Sequence, residues 1–310
     1  MEHDAWFFVG VFVFIFLIWI ATGGPLHPIS FTGSRLALPD ALGGGTYISF
    51  PRASFGTGTS HVSLPSSSNS GTAVTQSLGG SIFGISSPYR EMVSLSHYVS
   101  GAGSADARDE TVGISIPQNA DQSVDLSGWK LVSEATGFFA TIPNGTAVPT
   151  SGIVNHMQHI VLTPGERATI ISGRSPIGTS FRENKCIGYL SAFQRFSPSL
   201  PQNCPMPSDD LVSFYGAYYI RDPNCIDYVN GLSRCQVDVS PPSTLSSACR
   251  NFVVKYLNYN GCVAAHQNDS NFNGNTWHIY LGRTSSMWRT KHEVVKLLDD
   301  RGKTVDTFSY

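Results

Sequence analysis

Two histidine pairings in this chain have a spacing that could ligate a metal ion. His156 and His159 would share one face of a helix, but they lie in a loop-like stretch without a nearby third ligand. Cys262 and His266 have an i, i+4 spacing, although no close cysteine pair accompanies them. We therefore interpret the histidine pair as solvated and Cys262 as a disulfide cysteine, and we expect no metal site.

The stretch from Asp269 to Gly274 reproduces the first half of a calcium-binding loop. The twelfth position is Tyr280, where a bidentate glutamate should supply two oxygens. Because one carboxylate among amides is a poor calcium site, we interpret the stretch as an asparagine-rich turn that enters a strand. The sequence predicts no cofactor.

Nucleophilic catalysis would need a serine or cysteine next to a histidine and an orienting carboxylate. The nine histidines are accompanied by no Gly-x-Ser-x-Gly elbow and no recognisable catalytic cysteine. Glycine-rich pieces at 43–45 and 56–58 match no phosphate-binding loop. The sequence therefore predicts a protein that is not an enzyme and has no catalytic residue.

Aromatic residues and two glycosylation motifs remain as candidates for recognition. Asn144 and Asn268 begin motifs that accept N-glycans if the source modifies asparagine. A recognition surface, as in an adhesin or carbohydrate-binding head, could include a set of four aromatic residues, but packing inside the fold is the more frequent role of such residues. These four are Tyr215, Tyr218, Tyr219 and Trp288.

All six cysteines fall in one region of the chain, without a Cys-x-x-Cys pair. They are Cys186, Cys204, Cys225, Cys235, Cys249 and Cys262. An even, clustered set without metal spacing favours disulfides, which form in oxidising compartments outside the cytosol. Spacing does not choose among the possible pairings.

The N-terminal run from Ala5 to Ala21 is apolar and uncharged. As a helix it would be about 26 Å long, close to the ~30 Å hydrocarbon core of a bilayer. A cleaved signal peptide is the alternative, with Ala21–Gly23 as its cleavage site, but the acidic start Met1–Asp4 is unlike a signal peptide. We expect a transmembrane anchor over residues 1–22, and the cysteines favour an extracytoplasmic C-terminal domain.

Composition limits the partners of the remaining chain. The 20 Lys+Arg are scattered against 22 Asp+Glu, so no basic face for nucleic acid is expected. Residues 23–86 are rich in Gly, Ser and Thr, and their apolar runs are too short to build a core. We expect a flexible or extended stalk there.

From residue 87 onward, short segments alternate apolar with polar residues, which is typical of half-buried strands. Pro164-Gly165 predicts a tight turn, as does Pro143–Gly145, and Asp299–Gly302 predicts a hairpin loop. Trp129, Phe139 and Trp277 are candidates for the space between two sheets. The predicted strands are Met92–Ser96, Glu110–Ile116, Gly128–Val132, Phe138–Ile142, Ile160–Leu162, Ala168–Ile171, Trp277–Leu281 and the two arms of Val294–Tyr310.

Between about residues 186 and 275 the pattern becomes partly helical. Asp209 and Asp210 precede a run, 211–219, that could be helix or strand. A clearer helix has Leu245, Phe252 and neighbours on one face, with Ser243 as its expected cap and Asn260-Gly261 as its expected end. We expect a disulfide-stapled insertion in the sandwich.

Three motifs occur in a fixed order: VDLSGWKL at 124–131, LTPGERATI at 162–170 and VVKLLDDRGKTVDTFSY at 294–310. In that order they resemble the lamin tail domain, a small immunoglobulin-like β-sandwich found in nuclear lamins and in bacterial exported and surface proteins. The resemblance covers 88–310 apart from the insertion and implies no common ligand. Lamin tails in animals are associated with chromatin, but the charge balance does not support that role here.

The resulting prediction is a mainly-β chain with an immunoglobulin-like sandwich head, a partly helical cysteine-containing insertion and one transmembrane helix. Its predicted role is a membrane-anchored, extracytoplasmic structural or interaction module whose partner is a protein or a cell-surface polymer. An exported hydrolase or nuclease with its site in the insertion is the alternative. A cleft with clustered carboxylates or histidines of perturbed pKa would favour that alternative.

Overall fold

The computed structural model describes residues 11–14, 16, 20, 83–150, 152–216 and 221–310. The chain divides into two units, Met1–Ala73 and Val74–Tyr310. In the first unit the described residues are helical and exposed. No helix within the described ranges has both the length and the apolar character needed to cross a bilayer. Most of the predicted anchor, and the predicted stalk up to residue 82, lie outside the described residues.

The strands of the second unit form two larger sheets and one small one. The six-stranded sheet has the order β1 (Ser94–Leu95), β2 (Thr111–Ser115), β8 (Arg167–Ile171), β10 (Asn273–Tyr280), β9 (Ser180–Asn184), β6 (Gly145–Thr146). The four-stranded sheet has the order β12 (Thr304–Ser309), β11 (Val294–Leu298), β4 (Lys130–Ser133), β5 (Phe139–Thr141). The small sheet pairs β3 (Val124–Asp125) with β7 (Val161–Leu162). These elements confirm the expectation of a mainly-β fold with short strands.

Both larger sheets contribute to one apolar cluster, so they form two layers around a shared core. Ile114 and Ile170 enter it from the six-stranded sheet, and Leu131 and Leu297 enter it from the four-stranded sheet. Trp129 is only 2% exposed in this cluster and packs against Tyr89, with ring centroids 5.2 Å apart. Apolar alternation therefore identified one buried face on each layer.

The expected interior aromatics were assigned correctly in two cases of three. Trp129 and Trp277 both lie in the shared core. Phe139 does not, because it is 61% exposed. The pairing of β4 with β5 sets Leu131 opposite Ala140, so the smaller Ala140 takes the inward position and Phe139 faces outward.

The predicted turns match the structure to different degrees. Gly165, with a φ of +85°, makes the expected turn, but β7 and β8 on either side of it belong to different sheets. The expected turn at Pro143–Gly145 is shorter, since Gly145 already begins β6. The C-terminal hairpin is confirmed, with β11 and β12 antiparallel and Val295 opposite Phe308.

The insertion connects β9 to β10, which are antiparallel neighbours. Its two ends meet, because the Lys185 N–H donates to the Phe272 carbonyl at 2.8 Å. It therefore leaves and re-enters the sheet at one place without separating the strands. Its helices are α1 (Pro207–Asp210), which continues as a π-helical turn (Leu211–Tyr215), α2 (Pro223–Asn230), α3 (Ser247–Tyr256) and α4 (Tyr259–His266), after a 3-10 helix at Ile187–Ala192.

The predicted main helix exists, but its ends differ from the expectation. Ser246, not Ser243, caps α3, because its side chain accepts a hydrogen bond from the Cys249 N–H. Asn260-Gly261 does not end α3 but lies inside α4, whose own cap is Asn258. Residues 211–215 of the ambiguous run are helical rather than extended.

The expectation that the cysteines form disulfides is confirmed, and no cysteine is free. The pairs are Cys186–Cys262, Cys204–Cys235 and Cys225–Cys249. Cys186–Cys262 joins the start of the insertion to α4, near the point where the chain returns to β10. Cys225–Cys249 joins α2 to α3 inside a separate apolar cluster that includes Leu211.

Candidate functional site

Four ionisable side chains are in contact in and next to the insertion, around His266 at the end of α4. Its Nε2 lies 2.9 Å from Asp210 and its Nδ1 lies 2.9 Å from Asp269. Lys185 contacts the same oxygen of Asp269 at 2.6 Å. The Asp210 carboxylate is buried, and the ring of Phe214 contacts His266 edge-on.

The contacts around His266 hold neighbouring helices and a strand together, and they leave His266 unsuited to act as a general base. Burial raises the pKa of Asp210, although its hydrogen bond to His266 opposes the shift. The hydrogen bonds from Lys185 and His266 lower the pKa of Asp269. A general base needs a ring nitrogen free to accept a proton, but here each nitrogen of His266 already faces a carboxylate. The contacts tie α1, α4 and the end of β9 together.

A second histidine site, which sequence reasoning missed, lies on β10. His278 is buried, its Nε2 lies 2.6 Å from Glu183, and Phe181 stacks on its ring at 5.2 Å. Its Nδ1 is buried without a hydrogen-bond partner among the described residues. His278 follows Trp277 on β10, so the two side chains lie on opposite faces of the strand. No pattern in the sequence placed Glu183 beside His278.

The residues predicted as metal candidates are engaged elsewhere. His159 pairs with Asp125, and His156 is an exposed loop residue. Asp269, the one carboxylate of the calcium-like stretch, is held by Lys185 and His266. Cys262 is in a disulfide and cannot pair with His266 on zinc. The structure therefore does not bring these residues together as a metal site.

The recognition candidates separate into buried and exposed positions. Trp288 is 2% exposed and belongs to the shared core, so it is not a surface residue. Tyr215 is half-buried and its hydroxyl lies 3.1 Å from Asp222. Tyr218 and Tyr219 lie outside the described residues. Both Asn144 and Asn268 are exposed.

The outer edge of β5 is an exposed surface in the described part of the head. The Ser133 N–H donates to the Phe138 carbonyl at 2.8 Å. The Ile142 N–H donates to the carbonyl of Trp129, the residue before β4, also at 2.8 Å. In an antiparallel ladder, backbone groups alternate between the two sides of a strand. The N–H and C=O groups of Phe139 and Thr141 therefore point away from β4 and are available to another strand.

Two exposed phenylalanines lie at this edge, and each ring is contacted by a cationic side chain. Phe138 is 47% exposed and Phe139 is 61% exposed. The guanidinium of Arg283 lies 4.8 Å from the ring centre of Phe138, and the ammonium of Lys130 lies 5.9 Å from that of Phe139. We call these four residues, together with the backbone of Thr141, the edge patch.

The loop that carries Arg283 is held by two buried glutamates. Glu110 accepts hydrogen bonds from the backbone N–H groups of Met287 (2.7 Å) and Trp288 (3.3 Å). Glu293 accepts one from the Arg289 N–H at 3.0 Å. Backbone donors satisfy both carboxylates, so this part of the loop has a defined path between the two larger sheets.

A cavity of about 300 Å³ adjoins the edge patch. Pro143 and Asn144, which follow β5 along the chain, line one side, and Gly282, next to Arg283, lines another. Arg174 also lines it, with its Nε 3.4 Å from the Gly282 carbonyl. The buried ring of Tyr280 contributes to the wall, and its hydroxyl has no hydrogen-bond partner among the described residues.

The other end strands of the two larger sheets each have at least one hydrogen bond to a neighbouring segment. Thr304 on β12 exchanges backbone hydrogen bonds with Ile85 and Ser87, so the last residues assigned to the stalk pack on the head. Gly145 on β6 exchanges two with Gln158. The Leu95 N–H on β1 donates to the Asp306 carboxylate at 2.8 Å. Within the described ranges, the backbone of β5 has no such hydrogen bond on its outer side, so this edge is open.

No protein-family model matches the chain, and no curated protein is significantly similar to it. The edge patch was also absent from the sequence-based candidates. Its signal was the adjacent pair Phe138-Phe139, because side chains alternate along a strand and two neighbouring large residues cannot share the buried face.

Proposed function

We propose that this chain is a membrane-anchored, extracytoplasmic interaction module whose head binds a protein partner through the edge patch. The observation that carries the proposal is an open strand edge that bears two exposed phenylalanines. Natural sheets normally shorten, charge or cover their edges, and exposed aromatic residues at an open edge are typical of binding surfaces. β5 is short, which limits pairing, but Phe138 and Phe139 are not the charged or proline residues that normally prevent an edge strand from pairing.

The proposed location rests on two independent properties of the chain. Three disulfides with no free cysteine suit an oxidising compartment. The uncharged run from Ala5 to Ala21 is long enough for a membrane anchor with the help of its flanks. We therefore place the C-terminal head outside the cytoplasm and the N-terminal run in the membrane.

For the head, we propose the immunoglobulin-like sandwich of the lamin tail domain. The resemblance is supported by where the three motifs lie. VDLSGWKL runs from β3 into β4, LTPGERATI spans the turn from β7 to β8, and the last motif is the β11–β12 hairpin. Each motif thus supplies core strands or the turns between them, as expected of a fold signature rather than of a binding site.

An exported hydrolase with its site in the insertion is the second candidate function. It is favoured by one observation, the grouping of Asp210, His266 and Asp269 with opposite pKa shifts on the two carboxyls. Against it, both ring nitrogens of His266 are occupied, which leaves no acceptor for the proton of a nucleophile. We therefore propose a non-catalytic role.

Site-specific crosslinking in intact cells tests the proposed function. A photo-reactive amino acid replaces Phe139 in the full chain, and the control places it at Arg301, an exposed residue in the β11–β12 loop. We expect a discrete crosslinked protein from position 139 and none from position 301. Equal labelling at both positions, or labelling of cytoplasmic proteins alone, would show that the edge patch is not an extracytoplasmic binding surface.

A further inference from the structure

We infer that the edge patch binds an extended, acidic segment of another protein, which pairs with β5 as an additional strand of the four-stranded sheet. This inference rests on the proposed function and specifies the chemistry of the partner. It depends on three features of the patch: the direction of the backbone groups, the charge around them and the exposure of Phe139.

The backbone supplies the pairing groups. Phe139 and Thr141 both direct an N–H and a C=O outward, because the groups of Phe138 and Ile142 are used toward β4. A partner strand that exchanges hydrogen bonds with these two residues would match the normal spacing of a β-ladder. In this mode of recognition, the main chain contributes affinity and the side chains contribute specificity.

The charges select an acidic partner. Lys130 and Arg283 lie over the two exposed rings, and Arg174 lines the adjoining cavity. None of the three forms an ion pair with a carboxylate in the described part of the chain, whereas Lys296, on the same sheet, is paired with Glu134 at 2.7 Å. Carboxylates on the incoming strand would complement these three cations.

The same charges disfavour a second copy of this chain as the occupant. If two copies paired β5 with β5, the same cations of both copies would border the new ladder, and neither edge patch contains a carboxylate to pair with them. Like charges brought together at an interface are unfavourable. The open edge is therefore suited to a different protein that carries the opposite charge.

Phe139 defines where an apolar side chain of the partner would lie. Its ring is on the outer face of the sheet, beside Val132 on β4. A residue on the added strand opposite Phe139 would cover the ring and remove it from water. Lys130 lies on this same face, because it pairs with Thr141 and side chains two positions apart share a face. The preferred partner thus carries an apolar residue opposite Phe139 and an acidic residue two positions away.

Synthetic peptides test the inference with the purified full chain. The probe is a short peptide in which valine and glutamate take turns at every second position, with threonine between them, so that both lie on one face of the added strand. Its twin has lysine in place of glutamate. Fluorescence anisotropy should show that the glutamate peptide binds at least about tenfold more tightly than the lysine peptide. Lys130→Gln combined with Arg283→Gln should reduce this preference, whereas Arg301→Gln should not.

Backbone pairing is tested separately from charge. Thr141→Pro removes the outward N–H but no hydrogen bond to β4, and it is compared with Thr141→Ala, which also lacks the threonine side chain. We expect about tenfold weaker binding of the glutamate peptide to the proline variant. If the proline variant unfolds, a peptide N-methylated on the amides that face β5 makes the same test with the unmodified protein.

Four results would overturn the inference. Two concern the peptides: equal affinity for both of them, or binding that is unchanged by Thr141→Pro and by N-methylation. The third is a dimer of the chain that Thr141→Pro dissociates. The fourth is equally tight binding of polygalacturonate to both Thr141 variants. The last two would identify a second copy or an anionic polymer as the occupant.

The crosslinking experiment distinguishes this failure from failure of the proposed function. If peptides do not bind but position 139 still crosslinks a surface protein in the Thr141→Pro chain, the edge patch is an interaction site without strand addition. If neither peptides nor crosslinks are found, both proposals fail.

Discussion

Two carboxyl groups in this protein have pKa values that their surroundings shift in opposite directions. Asp210 is buried, and burial raises its pKa; Asp269 accepts hydrogen bonds from two basic side chains, and its pKa is lowered. Both contact the same imidazole of His266. The local environment, rather than the residue type, therefore determines which of the two carboxyls stabilises the fold at a given pH.

Substitution of these two residues should change the pH dependence of unfolding in opposite ways. Because the folded state holds the proton of Asp210 more tightly than the unfolded chain does, this residue makes stability fall as the pH rises above about 4. Asp269 contributes stability above about pH 4 and loses it as the pH falls toward its lowered pKa. Urea unfolding should show the first dependence weakened by Asp210→Asn and the second by Asp269→Asn.

Identical pH profiles for the two variants would contradict these assigned directions. Asp300→Asn is the control, because this exposed residue lies in the β11–β12 loop, away from the cluster.

Alanine substitutions of two aromatic residues compare the contributions of the core and of the edge patch to the free energy of unfolding. Trp129→Ala removes a ring that is 2% exposed, and we expect a loss of about 3–5 kcal/mol in the free energy of unfolding. Phe139→Ala removes a ring that is 61% exposed and should change it by less than about 1 kcal/mol. Urea unfolding with the disulfides intact measures both, and equal losses would show that Phe139 is part of the core.

At the scale of elements, the insertion contains its own stabilised unit. α2 and α3 pack around Leu211, Val229 and Phe252, and these residues belong to a cluster separate from the core of the sheets. The Cys225–Cys249 disulfide lies in this cluster. The helices should therefore be able to unfold without the sheets.

Removal of this disulfide tests that independence. We expect Cys225→Ala with Cys249→Ala to destabilise the helical cluster by about 3 kcal/mol, the cost estimated for opening a loop of this length. In hydrogen-exchange mass spectrometry, amides of α2 and α3 should lose protection while those of β2 and β8 keep theirs. Loss of protection in both regions together would show instead a single cooperative unit.

The whole molecule combines an apolar N-terminal run with a head of low charge. Residues 11–14, 16 and 20 are helical and carry exposed phenylalanines, among them Phe12 and Phe14. Exposed rings on a helix require an apolar environment or a partner to cover them. A bilayer satisfies this requirement in the proposed arrangement.

Charged substitutions in this run test the anchor. We expect Phe12→Glu with Phe14→Glu to move the full chain from the carbonate-washed membrane fraction to the soluble fraction, because a charged side chain at the centre of a spanning helix costs roughly 2.5–3.5 kcal/mol. Val239→Glu, at an exposed apolar position in the insertion, is the control and should leave the chain in the membrane fraction. Retention of the double variant in the membrane would contradict the anchor.

The sequence alone determined the features that depend on local pattern. Alternation identified the strands around Trp129 and Trp277, turn residues located the bends at Gly165 and at 299–302, and clustered cysteines predicted disulfides. These signals are local because strand period, backbone conformation at glycine and cysteine oxidation depend on nearby residues and on compartment.

Which elements contact each other follows from the packing of the whole head. The register of β4 with β5 placed Ala140 inside and Phe139 outside, although either assignment satisfied the alternation of β5 alone. The parallel pairing of β8 with β10, the cysteine partners and the contact of His266 with Asp210 all join residues distant in the chain. Such contacts depend on how complete layers pack, and the local sequence of a strand or helix does not specify which distant element it contacts.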